Sequence, residues 1–366
     1  MPEYRAAVIG LGWMGLLYDL ASRIPDRFEI EDIDRPTPTL DVHRRIHHHE
    51  HPGSEGNPTS YAEAFRDRDE IELVAGVDRD PKRLDAFVSR YGIDAVYRDA
   101  VAMFESEKPD LVAVATNTRY RADLTCLAVE HGAKGILTEK PMAHTLEEAD
   151  RMVRVCKEAG VPLCCGSITT THPSFARAKA LVEEGAIGDV LSLEAGGPFA
   201  QHQNWSYFLD SPPAWVVGVG DDDRNESGSD EFRGQGFLVA HDGSSVHFRK
   251  GAPGIRLTGS NGEIRFDGIR DGWRWWQEVD VLGKRQRVEV PWPEPQFGFP
   301  YGAVYCLTDV MDCLFGDLDE PKNSGRRVAA ALEVEIALKQ SSDSGGRRID
   351  LPLGDRSLGL RYDWFR

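Results

Sequence analysis

Short apolar runs and longer stretches of helical periodicity alternate through the first half of the chain. Ala6–Ile9, Ile71–Asp78, Leu111–Ala115 and Gly135–Pro141 are too short for helices and read as strands buried on both faces. Between them Tyr61–Phe65, Pro81–Tyr91 and Tyr120–His131 have helical spacing, the last closed by Gly132, and Met14 to about Arg23 follows the first strand as a helix. Leu146–Ala159 is a further helix, stopped by Gly160, and Val161–Cys165 a further strand. That alternation predicts a doubly wound parallel sheet over residues 1–165, interrupted by a loop at 24–58 whose Pro25, Pro36, Pro38, Pro52 and Pro58 oppose regular structure. From Gly236 the period changes to two. Phe237–Ala240, Val246–Phe248, Ile255–Leu257 and Ile264–Phe266 are separated by the turn signals Asp242-Gly243 and Asn261-Gly262, which predicts an antiparallel meander. Tyr301–Phe315 and Ser324–Ser341 then read as amphipathic helices, so residues 166–366 form a second α/β domain.

Where the first strand ends, the chain reads Gly10-Leu11-Gly12-Trp13-Met14-Gly15. Gly10 permits the sharp turn, Gly12 lets a pyrophosphate approach the backbone, and Gly15 lets strand and helix pack closely. A helix start here offers N–H groups and a partial positive charge to phosphates, so the motif predicts a dinucleotide site. Asp78, at the end of the second strand, is placed to accept from adenosine ribose hydroxyls, although it lies much further from Gly15 than the usual ~20 residues. The loop at 24–58 accounts for the excess. The Asp78 charge opposes a 2′-phosphate and favours NAD over NADP, while Arg79 beside it softens that preference. A carboxylate that only caps the following helix is the structural alternative. Thr116, Asn117 and Thr118 leave the third of these strands, and Glu139 and Lys140 the fourth, at the strand ends where ligands of open parallel sheets gather. A lysine there suits hydrogen bonding to a substrate hydroxyl and assisting its deprotonation.

Composition narrows the field. A net charge of −17 disfavours nucleic-acid backbones and anionic membranes. No apolar run approaches a membrane span, and no signal peptide precedes the first strand, so the expected location is cytoplasmic. Cys126, Cys156, Cys164, Cys165, Cys306 and Cys313 form no C-x-x-C pair and read as buried thiols rather than as a metal site. His43, His47, His48, His49 and His51 read as a solvated loop more readily than as zinc ligands. Trp273, Trp275 and Trp276 read as packing residues, with a sugar-stacking rim as the alternative.

The glycine motif, Val77-Asp78-Arg79-Asp80-Pro81, Ala115-Thr116-Asn117-Thr118, and above all Glu139-Lys140-Pro141-Met142 with Thr145–Ala149 resemble the glucose-fructose oxidoreductase and inositol dehydrogenase family (Gfo/Idh/MocA). The likeness continues through His172–Lys179 and Gly185–Asp189 and resumes near the C-terminus. It implies a Rossmann domain holding a nicotinamide, joined to an α/β domain whose large open, mostly antiparallel sheet often makes a homodimer or homotetramer interface. The C-terminal helices return toward the first domain. The implied activity is oxidation or reduction of a secondary alcohol on a sugar, inositol or related small molecule, with Lys140 at the centre. Gly10, Gly12, Trp13, Met14, Gly15, Asp78, Arg79, Thr116, Asn117, Thr118, Glu139 and Lys140 become the cofactor set, and Thr170, His172, His202 and Asn204 the substrate set.

Three departures stand out. Ser167–Thr171 occupies a segment that usually carries Asn and Arg toward the substrate, which favours a neutral polyol or glycoside over an acid. His202 aligns with the family's proton-accepting histidine, but Pro198 then stands at the position of its aspartate. Arg121 stands where many relatives have a histidine. Two alternatives stay open: a family variant that cleaves or rearranges a glycosidic bond through transient oxidation by tightly held NAD, and, suggested by the altered segment around His202, a nucleotide-binding sensor without turnover.

Overall fold

The computed structural model describes residues 2–17, 58, 60–166, 169–196, 204–221, 231–268, 271–297 and 303–361. The histidine-bearing loop, the helix expected beyond Leu17, and His202 lie outside them. The chain divides into two units, Met1–Ala143 with Glu148–Ile168 and Phe299–Gly325, and His144–Glu147 with Thr169–Gly298 and Arg326–Arg366.

The first unit is built on six parallel strands: β1 (Tyr4–Ile9), β2 (Ile71–Val77), β3 (Val96–Tyr97), β4 (Leu111–Val114), β5 (Gly135–Thr138) and β6 (Leu163–Cys165). Their order is β3-β2-β1-β4-β5-β6, so the direction of winding reverses between β1 and β4. A ligand crevice belongs outside the carboxyl ends of strands at such a point. The apolar runs of β1, β4 and β5 are buried on both faces because helices cover both. Those helices are α1 (Tyr61–Arg66), α2 (Pro81–Tyr91), α3 (Ala100–Glu107), α4 (Thr118–Glu130) and α5 (Leu146–Ala159), whose first two residues are counted with the second unit. A later helix, α7 (Ala303–Phe315), completes this core with Cys306, Leu307, Val310 and Met311. It packs so closely on β5 that a Cβ at Gly135 would lie 2.6 Å from Val310 Cγ1.

In the second unit α6 (Pro173–Glu183) and α8 (Gly325–Asp343, its first residue counted with the first unit) accompany a nine-stranded sheet. Its strands are β7 (Val190–Ala195), β8 (Pro213–Val219), β9 (Gln235–Ala240), β10 (Ser245–Phe248), β11 (Ile255–Gly259), β12 (Gly262–Phe266), β13 (Trp273–Val281), β14 (Lys284–Val290) and β15 (Ile349–Asp350). The order is β14-β13-β12-β11-β7-β10-β9-β8-β15, and only the β7–β10 pair is parallel. The α/β class with a mostly antiparallel second sheet is thus the observed one. Asp242-Gly243 and Asn261-Gly262 turn where the sequence expects hairpins.

One face of this sheet packs on an aromatic cluster. Phe175 of α6 has Trp273 at 4.9 Å and Phe266 at 5.1 Å, both edge-on, and Trp273 is 1% exposed. The other face is polar over β12–β14 and apolar over β8 and β9, where Trp215 and Phe237 meet edge-on at 5.5 Å. Trp276 lies beneath the guanidinium groups of Arg265, Arg274 and Arg287 at 4.7 to 4.9 Å, and Glu263 and Glu289 pair with those arginines. Five of the six cysteines are buried as expected, but Cys313, near the end of α7, is partly exposed. No described helix is long and apolar enough to cross a membrane, and no cluster of metal ligands occurs among the described residues.

Candidate functional site

The carboxyl ends of β2, β1, β4 and β5 are adjacent, so the segments that follow them meet at one edge of the sheet. This brings Gly10–Gly15, Asp78–Arg79, Thr116–Thr118 and Glu139–Lys140 together. Gly10 turns with φ +94°, and a side chain there would collide with Ala115 O at 2.7 Å. A Cβ at Gly15 would strike Gly10 O at 1.9 Å, so strand and following turn approach as closely as the sequence expects. Gly12 is different, because among the described residues a Cβ there would meet only Arg83 Nη1 at 3.9 Å. A bare backbone inside a tight glycine turn, with no described side chain against Gly12, fits a pyrophosphate. The turn Trp13–Leu17 is wider than an α-helix, with Leu17 N donating five residues back to Gly12 O at 3.0 Å.

Asp78 holds the glycine turn in place. Its Oδ2 accepts from Leu11 N at 2.8 Å and its Oδ1 from Asp80 N at 2.9 Å. Asp80, not Asp78, caps α2 by accepting from Lys82 N, so the capping alternative for Asp78 is set aside. Arg83 of α2 stands 3.5 Å from Asp78 Oδ2 and is the described side chain nearest a Cβ at Gly12. Arg79 lies over the Tyr120 ring at 4.9 Å. Asn117 caps α4 through its Oδ1, which accepts from Arg119 N at 3.2 Å.

Lys140 follows β5 and precedes Pro141 in a cis peptide. Its amide donates to Glu139 Oε2 at 3.2 Å, and the other oxygen of that carboxylate accepts from the Tyr61 hydroxyl at 2.7 Å. Burial pushes the Glu139 carboxyl above its ordinary range, against the pull of the Lys140 and Arg121 charges and the Tyr61 hydrogen bond. Burial and the neighbouring carboxyl likewise drive the Tyr61 phenol well above its usual value. Gly166, at the end of β6, has φ +46°, and a Cβ there would fall 2.2 Å from Lys140 N. Arg121 of α4, only 2% exposed, donates to the carbonyl oxygens of Thr116, Glu139 and Pro141. Sequence reasoning misses Tyr61, Arg83 and Gly166 at this site. It notes Arg121 without giving it a task.

In the second unit Thr170 and Asn204 are joined by a 2.6 Å hydrogen bond between buried side chains. His172 caps α6, its Nδ1 accepting from Ser174 N at 3.2 Å. Its ring packs 4.5 Å from Phe297. His202 lies outside the described residues.

Residues 54–167 match a family described as oxidoreductases with an NAD-binding Rossmann fold. A D-apiose dehydrogenase of Paraburkholderia graminis is 38% identical over 129 residues, 35% of this chain and 34% of that protein. A 2,7-anhydro-N-acetylneuraminate hydratase of Mediterraneibacter gnavus is 33% identical over 96 residues, 26% of this chain and 25% of that protein. Both matches span about a third or less of the relative's length. The WlbA dehydrogenase of Bordetella pertussis, solved with NADH and UDP-GlcNAcA, superposes with a TM-score of 0.61 at 19% identity, covering 96% of this chain and 99% of that one. At that identity the likeness is one of fold.

Proposed function

We propose that the chain, whose residues 54–167 match an oxidoreductase family with an NAD-binding Rossmann fold, is a member of the Gfo/Idh/MocA family and transfers hydride between a nicotinamide dinucleotide and a secondary alcohol of a sugar, glycoside or inositol-like polyol. The observation that carries the reading is Lys140, whose backbone is fixed at the same edge of the sheet as the glycine turn. When bound, the cofactor supplies the hydride acceptor.

Every other task falls to this chain. Gly10, Gly12, Trp13, Met14 and Gly15 cradle the pyrophosphate, and Asp78 with Arg79 flanks the adenosine end. The Asp78 charge favours NAD over NADP. Thr116, Asn117, Thr118 and Glu139 flank the nicotinamide end. The Lys140 ammonium hydrogen-bonds the reacting hydroxyl and stabilises the alkoxide that forms as its proton leaves. Thr170, His172 and Asn204 offer hydrogen-bonding groups suited to polyol hydroxyls, with His202 as the proton acceptor. The D-apiose dehydrogenase relative supports a polyhydroxylated substrate.

The hydratase relative supports a second reading, in which the chain rearranges or cleaves its substrate with no net change in NAD. One assay separates the two. Purified protein with NAD and a panel of sugars, glycosides and inositols accumulates reduced cofactor under the first reading, and releases product without it under the second. Lys140→Ala should abolish turnover and keep NAD affinity; undiminished turnover would remove Lys140 from the mechanism.

A further inference from the structure

Arg121 is a buried cation of the first unit that donates to three main-chain carbonyls and a hydroxyl. Its Nε and Nη2 donate to Thr116 O at 3.0 and 2.7 Å, and its Nη1 to Glu139 O at 2.9 Å, to Pro141 O, and to Thr118 Oγ1 at 3.4 Å. Thr116 and Thr118 are local, at the start of the arginine's own helix. Glu139 and Pro141 are not, standing 18 and 20 residues away along the chain beyond the neighbouring strand. They are the two residues that flank Lys140. One guanidinium therefore binds the carbonyl on each side of Lys140 and, through Thr116, the segment leaving β4.

Stability alone is a poor explanation for this arrangement. Desolvation works against the buried charge and draws its pKa down to about 10, so the group stays cationic at neutral pH at some cost to folding. An apolar side chain of similar volume would fill the space without that cost, but would leave the three carbonyls without these donors. A planar fork spreads five N–H groups over three nitrogens and so reaches all these acceptors on two separate segments; an ammonium has three donors on a single nitrogen. The remaining freedom of the Lys140 backbone is removed from other sides, by Glu139 Oε2 on its amide and by Gly166 beneath it.

We propose that Arg121 is the positioning residue for Lys140, fixing its main chain so that the ammonium is delivered to one place beside the nicotinamide end of the crevice. The proposal rests on the reading of Lys140 given above. It assigns Arg121 no contact with substrate or cofactor. Arg121→Lys keeps the charge and loses the fork, while Arg121→Met loses both.

The test reads Lys140 itself, without need of a substrate. Competitive labelling of the folded protein with limiting acetic anhydride, quantified peptide by peptide across pH, gives the reactivity of each lysine. In both variants the Lys140 labelling rate should change by at least ~10-fold, with Lys108 and Lys134 unchanged and NADH affinity within about threefold by fluorescence titration. Where a substrate from the panel is turned over, kcat should fall with the NAD KM retained. Wild-type Lys140 reactivity in Arg121→Lys overturns the proposal. So does an equal change at every lysine, or failure of both variants to fold, since each assigns Arg121 to general stability. Because labelling does not depend on turnover, full activity of Lys140→Ala would defeat the functional reading while leaving the positioning measurement to stand by itself.

Discussion

The Tyr61 hydroxyl donates to Glu139 Oε1 across 2.7 Å, with both side chains buried. That bond stabilises the carboxylate and opposes the rise in its pKa that burial imposes. Tyr61→Phe should therefore destabilise the fold by about 1–3 kcal/mol, the cost of stripping a partner from a buried acceptor. A carboxyl whose folded pKa is raised contributes stability below its ordinary range and loses it as pH rises. Removing the phenol raises that pKa further, so the penalty should be larger in neutral than in mildly acidic buffer. Urea unfolding of the pair in both buffers checks the sign.

Gly166→Ala tests the other support of Lys140. The new methyl would sit 2.2 Å from Lys140 N at a φ of +46°, a contact that forces the backbone to move. We expect a loss of more than about 1 kcal/mol in stability together with reduced turnover, seen as a lower thermal midpoint and a lower kcat. An unaltered midpoint and rate would show that the segment after β6 is free to yield.

His172 combines a capping role with a place in the proposed substrate set. Asparagine also caps well, so His172→Asn should be about 1 kcal/mol more stable than His172→Ala by denaturant midpoint. If the imidazole also meets substrate, both variants should raise the substrate KM equally, and a KM restored by asparagine would confine His172 to the cap.

Asp309 of α7 is buried against Lys322, whose amide donates to Asp309 Oδ2 at 2.9 Å and whose ammonium pairs with Oδ1. Burial outweighs the lysine and lifts the carboxyl from 3.8 to about 6. The folded state thus holds this proton more tightly than the unfolded chain. Its contribution is fully present below pH 3.8 and is lost as pH rises through about 6. Relative to Asp309→Asn, the wild type should lose about 3 kcal/mol across that window and nothing more above it. Denaturant midpoints of the two proteins at several pH values would show this, and a constant difference would exclude Asp309 as the titrating group.

Much of the first unit is legible because its signals are local. The glycine turn, the apolar strands and the capped helix Pro81–Tyr91 each declare themselves within a few residues, and β1, β2, β4 and β5 lie where the pattern places them. What escapes is what depends on partners far along the chain. Arg121 acts on main-chain oxygens of residues that carry no distinguishing side chain, and Gly166 matters only because Lys140 N passes close by. Tyr61 reads as one more helical aromatic until Glu139 is set beside it. In the second unit β14 shows almost no apolar alternation, since nearly every residue of Lys284–Val290 is exposed, and it is recognised only by its pairing with β13. Cys313 reads as buried from residue type alone, yet the last turn of α7 leaves it partly open.

The contribution of α7 to the first unit has a consequence for how the protein is made. Cys306, Leu307, Val310 and Met311 belong to the same core as Val8 and Ala113, yet they leave the ribosome after strands β7 to β14 of the second unit have been synthesised. Until then the side of β5 and β6 that α7 will cover has no lining of its own, and the nascent first unit must wait with that apolar surface open. A gene fragment ending after β6 would encode every strand of the parallel sheet and still yield a lobe with one wall missing.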